Sequence, residues 1–247
     1  MIVSHARKFI FLKPEKVAGT SVEILLSRHC GPGDIVTPIS EEPLRTRHGG
    51  RSPQNHLVPL ARMSAGALAR MALRRERPLK FYNHMPADRA RALLGEEIWR
   101  GYLKVSITRN PFDQAVSRYF WLKAQGKTAD LEGMLFDAPE HLVSNRRIAP
   151  AEGPDAMDVM LRYERLEADL AALLPRLGIA AEEAARLREI DAKAGIRPAR
   201  ASAAELFARR PDAARLVGLL CRDELERFGY ALDARAAHEL APVHATG

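Results

Sequence analysis

At 247 residues and 47% hydrophobic, the chain is long enough for one α/β domain with a sizeable core. Its formal charge of +7 is carried mainly by Arg, which favours anionic partners without choosing among nucleotides, nucleic acid and acidic glycans. Cys30 and Cys221 stand far apart in no metal-ligand or CxxC pattern, which argues against a disulfide scaffold and a zinc site; no apolar run approaches the roughly 18 residues of a membrane span.

No apolar leader precedes Lys8, so a cytoplasmic location is expected. Phe9, Ile10, Phe11 and Leu12 then form a continuous apolar run, the pattern of a strand buried on both faces of a parallel sheet. Pro14 stops the ladder because it has no N–H to donate. Beyond it, Gly19, Thr20 and Ser21 open a helix whose apolar face is Val22, Ile24, Leu25 and Leu26. The stretch PEKVAGTS therefore lies at a helix N-terminus, where unpaired N–H groups and the positive end of the helix dipole attract anions. Gly19 permits close backbone approach to a phosphate, Thr20 and Ser21 add hydroxyls, and Lys16 adds an ammonium. The nucleotide-triphosphatase loop GxxxxGK[ST] is absent, since no Gly-Lys-Ser/Thr occurs anywhere in the chain. Taken alone, KxxGTS fits a simple helix cap as well as a phosphate loop.

Gly31-Pro32-Gly33 ends that helix, and residues 34–59 read as a long surface connection carrying His48 and His56. Residues 63–75 predict a helix with Arg70, Arg74 and Arg75 facing solvent, without the interleaved aromatics of a nucleic-acid surface. A second strand is predicted over 79–82, and Pro86 leads into a helix over 87–94. His84 then falls at the carboxyl end of a strand, the edge where open α/β sheets place their ligands. A third strand over 103–108 is followed by RNPFDQAVSRY, which puts Arg109 at the strand end and Ser117 about two turns into a helix. A fourth strand is expected over 158–163, with helices over 164–177, 181–194, 203–208 and 211–228. Gly229 is the stop, and 233–247 read as a mobile tail. The expected architecture is a single α/β domain over 1–232, in three layers, with a central, mainly parallel sheet flanked by helices.

PEKVAGTS and RNPFDQAVSRY together resemble the two nucleotide-binding motifs of the sulfotransferases that use 3′-phosphoadenosine 5′-phosphosulfate. LRYERLEADL and CRDELERFGY are similar to late segments of the bacterial and carbohydrate branches of that family. The resemblance implies a P-loop-nucleotide-kinase-like sulfotransferase fold. It implies transfer of a sulfuryl group to a hydroxyl of a carbohydrate, glycolipid or similar acceptor, with no metal and no nucleic-acid partner. It further implies Lys16 as the catalytic lysine, Val17, Ala18, Gly19, Thr20 and Ser21 as the phosphosulfate cradle, and Arg109 and Ser117 as the pair that holds the 3′-phosphate. FYNHMP resembles the segment where several carbohydrate sulfotransferases carry a His base, which implies that role for His84. The loop departs from the commoner PKTGT type in Glu15 and in Val17-Ala18 around Lys16. Two other readings stay open: an ATP-dependent phosphotransferase with a variant loop, for which no clear acidic metal motif is present, and a non-catalytic nucleotide- or polyanion-binding module.

Overall fold

Residues Ile2–Ser4 (β1) and Phe9–Phe11 (β2) form an antiparallel hairpin, with Ile2 opposite Phe11 and Ser4 opposite Phe9. The computed structural model, which describes residues 1–74, 77–190, 196–198 and 201–232, extends this hairpin into a five-stranded sheet. The remaining strands are β3 (Ile35–Val36), β4 (Leu103–Thr108) and β5 (Val159–Arg162), in the order β3-β1-β2-β4-β5. Strands β2, β4 and β5 run parallel, whereas β1 is antiparallel to both β2 and β3. The expected mainly parallel sheet is thus corrected to a mixed one. The cause is the turn at residues 5–8: so short a connection can only return the chain antiparallel, because a parallel neighbour needs a crossover of about a dozen residues or more.

In chain order the α-helices are α1 (Gly19–Ser27), α2 (Glu42–Arg47), α3 (Ala65–Arg74), α4 (Ala87–Leu94), α5 (Glu96–Gly101), α6 (Pro111–Ala124) and α7 (Leu131–Asp137). They continue with α8 (Glu140–Val143), α9 (Asn145–Ile148), α10 (Leu166–Leu173), α11 (Ala203–Ala208), α12 (Pro211–Leu220) and α13 (Arg222–Phe228). The chain divides into two compact units, Met1–Thr108 with Asn145–Lys193, and Arg109–Ser144 with Ala194–Gly247.

The first unit contains the sheet, and the period-2 alternation of its strands assigns each side chain to one of two faces. Phe9, Phe11, Val105, Ile107 and Leu161 pack with Val22 and Leu25 of α1 and with Leu170 and Leu173 of α10. Val3, Ile10 and Leu12 turn the other way, onto Phe81, Met85, Trp99, Ile148 and Met157. Helices therefore flank the sheet on both faces, and each such side chain contributes about 1.5–3 kcal/mol through burial. The second unit has its own core, in which Phe112, Val116 and Tyr119 of α6 meet Leu131, Leu135, Phe207 and Val217. Phe112 and Phe207 meet edge to face at 5.3 Å. Among the described residues no helix is long and apolar enough to cross a membrane. Cys30 and Cys221 are both buried, and neither is in a disulfide.

Several expected elements take another form. Residues 79–82 are not a strand: Leu79 makes one isolated bridge to Leu57, and the N–H groups of Lys80 and Phe81 both donate to the His56 carbonyl. Residues 34–59 are more structured than a surface loop, since they contain β3 and α2. Residues 181–189 wind as a 3-10 helix, and 211–228 break at Cys221 into α12 and α13. Arg75, residues 191–194 of the expected helix over 181–194, and the tail over 233–247 lie outside the described residues.

Under the first face lies a buried ionic cluster. Glu23 of α1 is fully buried and takes Lys13 Nζ at 2.7 Å, Arg45 Nη2 at 3.0 Å and the Met1 amine at 3.1 Å. Burial alone would push the Glu23 carboxyl up; the Met1 amine, Lys13 and Arg45 outweigh it and hold the group down at about 2. Its contribution is therefore complete above the ordinary value of 4.5 and lost as pH falls through about 2. Glu23→Gln should destabilise the protein by about 3–5 kcal/mol at pH 7, because it removes the carboxylate that buried Lys13 and Arg45 share. Chemical denaturation across pH should show the gap to wild type closing below pH 4.5.

Candidate functional site

The chain leaves the carboxyl end of β2 through Lys13 and reaches α1 by a loop with two left-handed residues, Lys16 at φ 63° and Ala18 at φ 59°. Side chains resist this region at a cost of about 1–2 kcal/mol each. A third left-handed residue, His84 at φ 58°, lies against the same loop, its Nδ1 2.7 Å from the Lys13 carbonyl. Strain of this kind persists only where surrounding contacts impose it, and its concentration around one loop marks a candidate site.

Those contacts are specific. The Glu15 N–H donates to Asn145 Oδ1, and the Glu15 carbonyl accepts from Asn145 Nδ2, both at 2.9 Å, so α9 grips the loop backbone on both sides. A Cβ on Gly19 would stand only 2.3 Å from Lys13 Cγ. Lys13 cannot yield, because it is buried and its ammonium is held by Glu23. Glycine is thus required at position 19 by a lysine stem, whatever the loop binds.

No side chain caps α1 at Ala18. The Ser21 and Val22 N–H groups turn back to the Ala18 carbonyl at 3.1 and 3.4 Å. Those of Gly19 and Thr20 occupy the first two helical positions, where no intrahelical acceptor exists, and this is the arrangement that receives oxyanions. Val17, Thr20 and Ser21 are buried and Lys16 is half-buried. The Ser21 hydroxyl donates to the Ile190 carbonyl at 2.9 Å, so its hydrogen is engaged within the protein and its oxygen can act only as an acceptor. A groove of about 850 Å³ opens beside the loop, lined by Ala18 and Ser21 together with Tyr163, Leu166, Ala184 and Arg188.

The His84 hydrogen bond fixes a tautomer. A carbonyl oxygen only accepts, so Nδ1 carries the proton and Nε2 keeps its lone pair. Burial, reinforced by the Lys13 ammonium, lowers the imidazole below its ordinary value of 6.5. The ring is neutral at physiological pH and has a basic nitrogen to offer.

In the second unit, Arg109 is the residue that follows β4 in the chain, and it is buried. Its Nε donates to Asp113 Oδ2 at 2.7 Å, its Nη2 pairs with the same oxygen, and Arg197 Nη1 reaches Asp113 Oδ1 at 2.5 Å. Burial would raise the Asp113 carboxyl, but the two guanidiniums overcome it and hold the group below the usual range. Asn110 caps α6, its Oδ1 accepting from the Phe112 N–H at 3.1 Å, and Pro111 fills the first helical position. Ser117 is half-buried on α6. The first unit thus gathers Lys16, Val17, Ala18, Gly19, Thr20, Ser21 and His84, while Arg109 and Ser117 belong to the second.

Lys13, Glu23 and Asn145, which shape the loop, were not singled out by the sequence. The signal for two of them was present: Lys13 ends the run FIFLK and Glu23 interrupts VEILL, each a charge inside an otherwise apolar stretch. Among the described residues, no group of three or more His, Cys, Asp or Glu gathers where it could hold a metal ion.

No family model and no solved structure matches the chain. Over 103 residues it is 28% identical to an uncharacterized protein from Archaeoglobus fulgidus, a match that spans 40% of this chain and 86% of that protein. This similarity carries no activity with it.

The packing around the loop predicts opposite outcomes at neighbouring positions. Gly19→Ala should lower stability by about 1–3 kcal/mol through overpacking. Ala18→Gly should leave it unchanged or raise it by about 1 kcal/mol by relieving the left-handed backbone. Thermal denaturation of the two variants, with folding checked by circular dichroism, measures both.

Proposed function

We propose that this protein is a cytoplasmic sulfotransferase of the P-loop-like fold, moving a sulfuryl group from 3′-phosphoadenosine 5′-phosphosulfate to a hydroxyl of a carbohydrate, glycolipid or similar acceptor. The observation that carries the reading is the His84–Lys13 hydrogen bond, which holds a neutral imidazole with a basic Nε2 against the loop that bears Lys16. A helix end that only needed capping would have no use for such a base.

The residues present fit the co-substrate. α1 offers uncapped N–H groups at Gly19 and Thr20, Lys16 offers a cation on the same loop, and the adjoining groove offers room. When bound, the co-substrate supplies an activated sulfuryl group whose leaving group is the nucleotide 5′-phosphate. The N–H groups of α1 would bind the anionic end, and Lys16 would offset negative charge that grows on the leaving oxygen. Interactions of this kind accelerate the reaction because they are stronger in the transition state than in the ground state. His84 Nε2 would take the proton of the acceptor hydroxyl as that oxygen attacks. Arg109 and Ser117 would hold the 3′-phosphate through charge-assisted and hydroxyl hydrogen bonds.

Calorimetric titration with adenosine 3′,5′-bisphosphate beside ATP–magnesium tests the co-substrate. Wild type should bind the bisphosphate in preference to ATP–magnesium, and Arg109→Ala should weaken it by about tenfold or more, the loss of one charge-assisted contact. Folded wild type that ignores the bisphosphate would overturn the reading.

A second measurement isolates the base. His84→Gln should keep bisphosphate affinity while kcat falls by about 10²–10⁴. In wild type the acid limb of the pH–rate profile should lie below 6.5, activity falling as His84 gains its proton, and this limb should vanish in the variant.

A further inference from the structure

At the opposite edge of the sheet, where β2 and β4 begin, lies a second feature that the loop chemistry does not use. A cleft of about 540 Å³ is lined by Arg7 and Lys8 of the β1–β2 turn, Arg100 in the last turn of α5, Tyr102 just after it, Asp158 before β5, and Arg176. It belongs wholly to the first unit. The six residues of β4 separate the two edges by about 20 Å.

Four cations share this cleft with one carboxylate, and that carboxylate is already engaged. Asp158 Oδ2 lies 2.7 Å from both the Lys104 N–H and the Lys104 ammonium. Arg100 pairs with Glu96 at 3.0 Å and is otherwise exposed. Lys8 and Arg176 have no acidic partner among the described residues.

The cleft is also built rather than incidental. Arg7 Nη1 donates to the carbonyls of Leu177 at 2.8 Å and Gly178 at 2.6 Å, and its Nε donates to that of His29 at 3.4 Å. These acceptors fix the guanidinium plane and leave Nη2 without a hydrogen bond among the described residues. Gly178 adopts φ 64°, and a Cβ there would stand 3.2 Å from Arg7 Nη1, so the backbone closes tightly on this side chain. Lys8 is itself left-handed at φ 50°, with its carbonyl held by the Leu103 N–H at 2.9 Å. Tyr102 is held from the other side by His5 Nδ1 at 2.9 Å.

From this we infer that the cleft is a second oxyanion site, for a small ligand carrying two or more negative charges on phosphate groups, of the inorganic pyrophosphate or phosphate-ester type. Lys8 and Arg176, which have no acidic partner among the described residues, leave the cleft with an excess of positive charge that such an anion offsets, and a pre-oriented Arg7 offers it a fixed donor edge. The site is independent of the proposed sulfuryl transfer.

The test is calorimetry and thermal denaturation with inorganic pyrophosphate and with inorganic phosphate, at ionic strength held constant with sodium chloride. Pyrophosphate should bind and stabilise wild type, phosphate more weakly. Lys8→Asn/Arg176→Gln, which removes two exposed charges and keeps a residue tolerant of the left-handed backbone, should weaken pyrophosphate by about tenfold or more. That variant should bind adenosine 3′,5′-bisphosphate as wild type does. Arg176→Lys should retain most of the pyrophosphate affinity, and Lys16→Ala should retain it fully. Should the double variant lose its near-ultraviolet dichroism, Arg176→Gln alone answers the same question. Unchanged pyrophosphate binding in the charge-removing variants, loss confined to Lys16→Ala, or equal stabilisation by chloride would overturn the inference.

Discussion

The ion pair between Lys13 and Glu23 is the interaction on which the first unit's loop depends. It lies where β2 ends and beneath α1, so one contact relates the two elements that frame the loop. The ammonium fixes the lysine stem, the stem excludes every side chain at Gly19, and the lysine carbonyl chooses the tautomer of His84. β2 is closed off at the same point: the Leu12 N–H still reaches the Val105 carbonyl in the parallel ladder, whereas the Leu12 carbonyl turns to the Ser106 hydroxyl at 2.8 Å. A buried pair of this kind adds little net stability over an apolar replacement, but losing one partner is costly because the other charge stays behind. Its value here is in position.

Around that pair the backbone is held in conformations it would not choose alone. Asn145 brackets Glu15, Ser21 ties α1 to Ile190, and His84 is anchored by its ring while its own backbone is left-handed. These ties come from residues distant in sequence and hold the strained loop and the start of α1 in place. Pre-orientation spares a binding site the entropy of ordering its own groups.

Much of this was legible in the sequence, and the parts that were not share a physical cause. β4 and α4 fall where hydrophobic patterning puts them, since six and eight residues are enough for a period to register. β1 and β3, of three and two residues, are too short to show alternation, and their pairing comes from the turn and the sheet edge. Residues 79–82 have a strand's composition, but Leu79 is 49% exposed and two successive N–H groups converge on His56, so no ladder can continue. The strand–loop–helix order around PEKVAGTS was readable, whereas the partners that hold the loop were not. Arg45 looks like a surface charge in a list of residues, and the apolar run before Lys13 hints at its burial without naming Glu23 as its partner, because burial of a charge is decided by partners distant in sequence. The short-range pair Arg109–Asp113 was open to reading by its four-residue spacing; Arg197, which completes it, was not.

Asp113 gives that last cluster a particular character. Arg109 and Arg197 already hold a carboxylate through three hydrogen bonds, so their charge is answered from within the chain. An external anion meets a tethered rival whose effective concentration is about millimolar or higher, and it gains a place only by exchange. Weak, singly charged ions such as chloride lose that contest at ordinary concentrations. The carboxylate therefore keeps both arginines ordered and their charge balanced within the second unit.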